Sequence, residues 1–462
     1  MASFEEEIQT RVPSTSFDRV ALYTEEDNAP FDNIKPSCVI VVDPISSGRV
    51  LASKLISRGY LTIAVWTAAS QKVEGIGECL VQFSANIYEV EGNLQATLQQ
   101  IKNLPYEVIA SMVGCESGVE LNDQISESLE LKTNGTSMSD CRRDKWAMQE
   151  RVKECGLRGI KQTVATSYED IEGFVTKEGL TKWVMKPRRD AGSNGVYKCE
   201  NLEEAKTAFD KITGQTTIFG EANPDVLVQE YLEGIEYVVD TVSCDGVHKI
   251  VALWEDDKRL VHGSPFVYYD SHLFETEDRA KENAFADYAF AVADALGVRY
   301  GPCHFEIMWL EATQEPCLVE VGTRPHGAGG NFPEICDPVI GYNQLDIQID
   351  SYIYHESFTR LPRIPRKLNG MGIEWFFVCY EEGILESVDL DYLKKFQSVL
   401  GVDMHRHEGE RVTRTVDLVT SPGVVRFSHP DAALVLREKD ELRATERQLI
   451  RVRPAAVNFA AA

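Results

Sequence analysis

One group of residues in this chain combines a lysine with a glycine-rich loop, as phosphate-binding sites do. Residues 182–187 are predicted to form a strand, and Lys186 near its end is costly to bury unless its ammonium group meets an anion. In the loop at 191–196, Gly192 and Gly195 let backbone amides approach phosphate oxygens closely. The pattern indicates a phosphate-binding hairpin. A surface turn beside a lysine that reaches solvent is the alternative.

A second group is a pair of glutamates on two neighbouring strands. Side chains alternate along a strand, so His304 and Glu306 share one face of the strand predicted at 301–310. Glu320 interrupts an apolar run on the next strand. Two carboxylates placed in this way offer oxygen ligands to a hard cation such as magnesium, which could in turn hold phosphate oxygens. The alternative is that each glutamate pairs with an arginine or faces water.

A third group begins at Arg324, four residues after Glu320. The residues that follow, 325–330, include Gly327, Gly329 and Gly330 and carry little side-chain bulk. Such a segment lets an arginine and several backbone amides face a carboxylate or a phosphoryl group at close range. A glycine-rich surface loop is the alternative, and the nearby glutamates favour the binding function.

The elements that must position these groups predict an α/β protein. A strand at 38–42, a helix at 50–57 and a strand at 61–66 form a βαβ unit with a parallel sheet, but no G-x-G-x-x-G sequence follows the first strand. Further strands are predicted at 226–232, 236–242 and 316–321. The predicted domains are an N-terminal βαβ domain at 1–139, a central domain at 140–350 with subdomains 140–222 and 223–350, and a small C-terminal domain at 351–462.

Composition excludes several classes of function. The 462 residues include 47 lysines and arginines against 73 aspartates and glutamates, which gives a formal net charge of −26. We therefore expect no nucleic acid and no membrane among the partners. No signal-peptide pattern and no apolar run of membrane-spanning length is found, and the 11 cysteines include no C-x-x-C pair. These features predict a cytoplasmic protein with reduced thiols.

The order of these motifs resembles the ATP-grasp superfamily of carboxylate–amine ligases. The resemblance runs from about residue 114 to 341 and implies a grasp fold of two α+β subdomains after the N-terminal domain. Within the superfamily the chain is most similar to the L-amino-acid (dipeptide) ligases. The motifs that carry the resemblance are Asp144 and Lys145 before a helix, Lys186, the loop at 192–195, the segment 229–234, Glu306, and the segment from Glu320 to Arg324.

The resemblance also implies roles for individual residues. Contacts to ATP are expected from Lys145, Lys186, Gly192, Ser193, Asn194 and Gly195, with adenine held at Glu230, Tyr231 and Leu232 and the ribose at Glu236. Magnesium, or manganese as the alternative ion, would be bound by Glu306 and Glu320. Arg324 would stabilise the acyl phosphate and the tetrahedral intermediate. Further candidates are His272 for catalysis and Asp270, His326, Gly329 and Gly330 for substrate binding.

The implied reaction joins a small-molecule carboxylate to an amine through an acyl phosphate and releases ADP and phosphate. Amino acids are the expected substrates; a carboxylate of another kind, or ATP binding without turnover, are the alternatives. One departure from the family is Gly322, where many members carry an asparagine two residues after the second metal-binding glutamate. The oligomeric state stays open, and a homodimer is the commonest assembly of soluble enzymes.

Overall fold

The computed structural model describes residues 35–72, 81–190, 195–217, 222–277 and 279–454. Its N-terminal part contains four strands, β1 (Ser37–Val42), β2 (Leu61–Trp66), β3 (Ala85–Tyr88) and β4 (Glu107–Val113), and three helices, α1 (Ser47–Ser57), α2 (Leu94–Lys102) and α3 (Val119–Ser128). The strands form a parallel sheet in the order β3-β2-β1-β4. The predicted βαβ unit is confirmed, with α1 starting three residues earlier than expected.

Helices cover both faces of this parallel sheet, which explains why its strands are continuously apolar. Val39 and Val41 of β1 pack with Leu51 of α1, whereas Ile40 and Val42 share a second core with Leu121 of α3 and its neighbours. The alternation of side chains along β1 thus divides its residues between two cores. The turns that follow β1 and β4 lie at the carboxyl edge of this sheet, and that edge faces the rest of the chain.

A second, antiparallel sheet follows helix α4 (Lys145–Glu154). It contains β5 (Gln162–Ala165), β6 (Trp183–Lys186), β7 (Tyr197–Cys199) and β8 (Val226–Glu230) in the order β5-β8-β6-β7, with helices α5 (Tyr168–Glu178) and α6 (Leu202–Thr213). Strand β7 pairs with β6, as the sequence predicted for the chain returning from the glycine loop. Residues 191–194 of that loop lie outside the described residues.

The largest sheet has eight strands in the order β13-β12-β9-β10-β11-β14-β18-β16. Five come from the central part of the chain: β9 (Ile235–Cys244), β10 (Val247–Val261), β11 (Ser264–Leu273), β12 (Gly301–Leu310) and β13 (Glu315–Gly322). Helix α7 (Ala280–Ala295) covers one face and buries Phe285 and Val292 against Val239 and Phe305. Helices α8 (Phe332–Ile340), α9 (Gln344–Ile353) and α10 (His355–Arg360) follow β13.

The large sheet continues across the predicted domain boundary at residue 350. Its other three strands, β14 (Met371–Phe376), β16 (Val399–Met404) and β18 (Gly423–His429), all lie beyond that residue. A small separate sheet is formed by β15 (Gly383–Val388), β17 (Arg411–Val412) and β19 (Ile450–Arg453). Helix α11 (Ala432–Leu449) shares a hydrophobic core with β14 and β18 of the large sheet. The division into domains therefore stays a prediction. No helix among the described residues is long and apolar enough to cross a membrane.

Candidate active site

A cavity of about 320 Å³ lies where the second sheet faces the large sheet. Ten of the residues singled out from the sequence line it: Lys145, Lys186, Glu230, Tyr231, Leu232, Glu236, Glu306, Glu320, Arg324 and His326. These residues come from α4, β6, β8, β9, β12, β13 and the segments that follow β8 and β13. Residues far apart in the sequence thus meet around one cavity.

Two lysines approach the carboxylate of Glu320. Asp144 caps helix α4 by accepting hydrogen bonds from the amides of Trp146 and Ala147, which places Lys145 in the first turn. Lys145 Nζ lies 3.0 Å from Glu320 Oε2 and donates to the carbonyl of Asp190 at 2.6 Å. Lys186 is 6% exposed, and burial, with the positive charge of Lys145, lowers its pKa. Both ammonium groups can therefore face an anion in the cavity.

Only the end of the glycine loop is described. Gly192, Ser193 and Asn194 lie outside the described residues, so their contacts with ATP stay a prediction. Gly195 has φ +68°, a left-handed backbone that favours glycine, and it lies against Pro187. Pro187 and Val196, on the two arms of the hairpin, both line the cavity. Both described arms of the hairpin thus border the cavity.

The segment after β8 forms an apolar wall. Tyr231 and Leu232 line the cavity together with Ile160, Val184, Met308 and Val319. Glu230 Oε1 accepts hydrogen bonds from Arg158 Nη2 and from the amide of Lys161, both at 2.9 Å. This carboxylate oxygen is already bound within the protein, which leaves backbone groups and apolar side chains as the main surface for an adenine ring.

Glu306 and Glu320 are direct cross-strand neighbours on β12 and β13, as the sequence predicted. Burial and repulsion from Glu320 and Glu236 raise the pKa of Glu306 to about 8. Burial would also raise the pKa of Glu320, but Lys145 and Lys186 lower it below its usual value. Two half-buried carboxylates that repel each other form an oxygen-rich site suited to a hard divalent cation.

Arg324 is held by a carboxylate from the N-terminal part of the chain. Its Nε donates to Glu116 Oε2 at 2.9 Å, and Arg143 Nη1 contacts the other oxygen of Glu116. Burial would raise the pKa of Glu116, yet Arg143, Arg324 and Lys145 lower it to about 2. Glu116 thus stays ionised and fixes the direction of the Arg324 guanidinium at the cavity wall.

His326 belongs to a buried chain of two histidines joined by an aspartate. His304 Nδ1 and His326 Nδ1 each lie 2.8 Å from a different oxygen of Asp240. Burial, Arg324 and His326 lower the pKa of His304 to about 4, whereas Asp240 outweighs burial and raises the pKa of His326. Asp240 accepts a hydrogen bond from each Nδ1–H, so the two Nδ1 atoms and the Asp240 carboxylate are paired with one another without a metal ion.

Four of the predicted site residues do not reach the cavity. Asp270 binds Lys439 Nζ at 2.7 Å and lies 3.2 Å from His272 Nδ1, whereas Ser271 between them lines the cavity. Because side chains alternate along β11, Asp270 and His272 point to the opposite face. Gly329 and Gly330 lie in the turn beside the N-terminus of α1, where a Cβ on Gly330 would be 2.8 Å from the Ser47 Cα. This placement does not support the predicted catalytic and substrate roles of the four residues.

Some polar residues of the cavity were not singled out from the sequence. Asp256, Lys258, Ser271 and Glu374 all line it, and Lys258 Nζ pairs with Glu236 Oε1. Glu374 is the only acid in strand β14, Met371–Phe376, which is otherwise apolar or glycine. The same signal, an acid inside an apolar strand, drew attention to Glu320 and would have found Glu374 as well.

Comparisons with known proteins agree with this geometry. A sequence model of the ATP-grasp domain matches residues 181–331. Dapdiamide A synthase from Enterobacter agglomerans is 27% identical over 412 residues, which cover 88% of this chain and 95% of that protein.

Solved structures show the same fold. An L-amino acid ligase from Bacillus licheniformis has a TM-score of 0.69 at 17% identity, covering 90% of this chain and 99% of that one. The biotin carboxylase domain of a Hydrogenobacter thermophilus 2-oxoglutarate carboxylase, solved with MgADP, has a TM-score of 0.60 at 14% identity, covering 90% of each chain. Residues 181–331 thus match an ATP-grasp domain, and the chain as a whole has the fold of these solved ligase and carboxylase structures.

Proposed function

We propose that this ATP-grasp ligase joins the carboxylate of one amino acid to the amine of a second amino acid or of another small amine. The observation that carries the proposal is the single cavity in which Glu306 and Glu320 face Lys145 and Lys186, with Arg324 in the same wall. Its similarity to dapdiamide A synthase and to an L-amino acid ligase supports amino acids as the substrate class.

The apolar end of the cavity fits the nucleotide. In this proposal the adenine ring lies against Tyr231, Leu232 and the apolar side chains around them, and Glu236 accepts the ribose hydroxyls. Lys145 and Lys186 bind the phosphates as cations, and the glycine loop at 192–195 covers them with backbone amides. The two lysines are the only groups of this set that carry positive charge, so phosphate affinity depends mainly on them.

Glu306 and Glu320 are the proposed ligands of magnesium, with manganese as the alternative ion. The donor set fits, since it consists of neighbouring carboxylate oxygens without sulfur or nitrogen. Bound there, the ion would neutralise charge on the phosphates of ATP. The raised pKa of Glu306 supports the assignment, because a carboxylate close to another one is stabilised in its ionised form by a cation.

The substrate carboxylate is proposed to attack the γ-phosphorus of ATP, forming an acyl phosphate and ADP. The amine then attacks the acyl carbon, the bond from that carbon to the phosphate oxygen breaks, and phosphate leaves as the amide forms. Arg324, whose direction is fixed by Glu116, stabilises the negative charge that develops on the transferred phosphoryl group and on the acyl oxygen.

The cytoplasm, where ATP is abundant, is the proposed location.

The test is an assay of the purified protein with MgATP across a matrix of paired L-amino acids, including other small amines as acceptors. We expect ADP release that needs both members of a pair, together with a product whose mass equals the two substrates minus water. ADP release at the same rate without any second substrate, or no new amide with any pair, would contradict the proposal.

A further inference from the structure

Glu374 is a buried carboxylate that faces the cavity and accepts no hydrogen bond from the residues that the structure describes. The residue is 2% exposed, and its closest ion-pairing partner is His326 Nε2 at 3.9 Å, beyond hydrogen-bond range. Within the described part of the chain, no group donates a hydrogen bond to this carboxylate. Because buried carboxylates are normally paired, Glu374 points to a positively charged ligand that completes the site.

A second carboxylate lies in the same row of the large sheet. Glu374 is the direct cross-strand neighbour of Ser271, and Ser271 is that of Asp256, so the three side chains share one face. The Ser271 hydroxyl donates to Asp256 Oδ1 at 2.6 Å. The other oxygen of Asp256 lies 3.8 Å from Lys258 Nζ, too far for a hydrogen bond. Asp256 is therefore oriented by Ser271 and keeps one oxygen for a ligand.

The cations near Glu374 are already engaged with other carboxylates. Arg426 is its cross-strand neighbour on β18, but that guanidinium donates to Glu334 Oε2 at 3.0 Å and also pairs with Asp403. His326 gives its Nδ1 proton to Asp240 at 2.8 Å. Both groups attract the charge of Glu374 from a distance, but neither donates a hydrogen bond to it, so its oxygens stay available to a ligand with N–H donors.

We propose that Glu374 and Asp256 bind the ammonium group of the amino acid whose carboxylate is activated. An ammonium group carries three N–H donors and one positive charge, and two carboxylate oxygens in one row can accept two of them. Arg324, two residues before His326, also lines the cavity and is a cation available to the carboxylate of such a zwitterion. Burial raises the pKa of both Glu374 and Asp256, which agrees with two carboxylates that await a cation.

The chemistry decides which of the two substrates binds here. An amine held between two carboxylates keeps its proton more firmly, because nearby negative charge favours the ammonium form. Such an amine has no free lone pair and cannot attack an acyl phosphate. The row of Glu374 and Asp256 therefore suits the acyl donor, whose ammonium group stays charged throughout, and not the acceptor amine.

This inference rests on the proposed function, and two assays separate them. The first compares the wild type with Glu374→Gln in amide formation, using the active pair found in the amino-acid matrix. The second measures the thermal shift that single amino acids cause in the presence of magnesium and a non-hydrolysable ATP analogue. Des-amino acids of the same shape, such as propionate for alanine and 3-phenylpropionate for phenylalanine, serve as matched ligands. Glu382→Gln, an exposed acid paired with Arg411, is the control variant.

We expect Glu374→Gln to raise the KM of the donor amino acid by about tenfold or more, because the variant loses one charged hydrogen bond to the ammonium group. The KM values of ATP and of the acceptor should stay unchanged. Amino acids, and not des-amino acids, should stabilise the wild type, and the variant should lose this difference. An unchanged donor KM, or a raised KM of the acceptor instead, would overturn the assignment while leaving the ligase function intact. A selective thermal shift without any amide product would instead refute the ligase function and leave the ammonium site standing.

Discussion

Gly322 leaves space that the carboxylate of Glu116 fills. A Cβ built on Gly322 would lie 2.6 Å from Glu116 Oε2 and 3.1 Å from Arg324 Nε, closer than van der Waals contact allows. The asparagine that many ATP-grasp ligases carry at this position would collide with both groups. In this chain the N-terminal part supplies Glu116 at that place, and the absent side chain at 322 is what allows Glu116 and Arg324 to meet.

Adding a methyl group at position 322 should disturb this pair. We expect Gly322→Ala to lower kcat/KM by about tenfold or more and stability by about 1–3 kcal/mol, since overpacking a closely filled site costs that much. Urea unfolding and steady-state kinetics measure the two effects. Gly173→Ala is the matched control, because a Cβ there meets nothing within 4 Å. Unchanged kinetics in Gly322→Ala would show that the contact is unimportant.

Removing the charge of Glu116 should affect Arg324 without touching a ligand directly. Glu116→Gln leaves two poorly exposed guanidinium groups, those of Arg143 and Arg324, without their carboxylate. We expect a loss of about 3 kcal/mol in unfolding free energy and a lower kcat, with KM for ATP little changed. Glu120→Gln, in the first turn of the helix that follows and 40% exposed, should match the wild type. A Glu116→Gln enzyme with the wild-type kcat would contradict the positioning role.

The contribution of Glu116 should depend on pH in a defined direction. Its pKa in the folded protein is about 2, against about 4.3 for an unfolded glutamate, so the folded state favours the ionised form. The stabilisation is therefore complete above about pH 5 and is lost as the pH falls toward 2. The difference in unfolding free energy between wild type and Glu116→Gln, measured from pH 7 down to pH 3, should shrink at the acid end. A difference that grew with acidity would contradict the ion-pair account.

Replacing a proposed metal ligand should impair turnover more than folding. We expect Glu320→Gln to lower kcat by about 100-fold, since a neutral amide supplies little of the several kcal/mol that charge neutralisation contributes. It should also raise the magnesium concentration needed for half-maximal rate. Glu315→Gln, on the same strand but outside the cavity, controls for effects on the sheet. A fully active Glu320→Gln enzyme would refute the metal assignment.

Much of the fold could be predicted because local patterns dominate it. The strands at Leu61–Trp66 and Gly301–Leu310 have the predicted bounds, since apolar runs there end at turn residues. What local patterns could not predict is the long sheet that joins β11 to β14, because it pairs residues about 100 positions apart in sequence. Strand order of this kind depends on tertiary packing, which one sequence does not reveal.

The site was predictable where a motif keeps its residues together. Glu306 and Glu320 lie on consecutive strands of one hairpin, so alternation alone was enough to pair them. Asp270 and His272 were proposed from the resemblance alone, and the structure places the side chain of Ser271 between them in the cavity, because a shift of one residue along β11 moves a side chain to the other face. Glu116 and Glu374 come from opposite ends of the chain, and only the folded structure brings them to the cavity region.

The most direct test of the central claim follows one oxygen atom. The donor amino acid is labelled with ¹⁸O in its carboxylate, and the phosphate released during amide formation is analysed by mass spectrometry. An acyl phosphate predicts one ¹⁸O in each phosphate, because the carboxylate oxygen that attacks ATP leaves with the phosphoryl group. Label found in AMP, or phosphate without label while amide accumulates, would contradict the account.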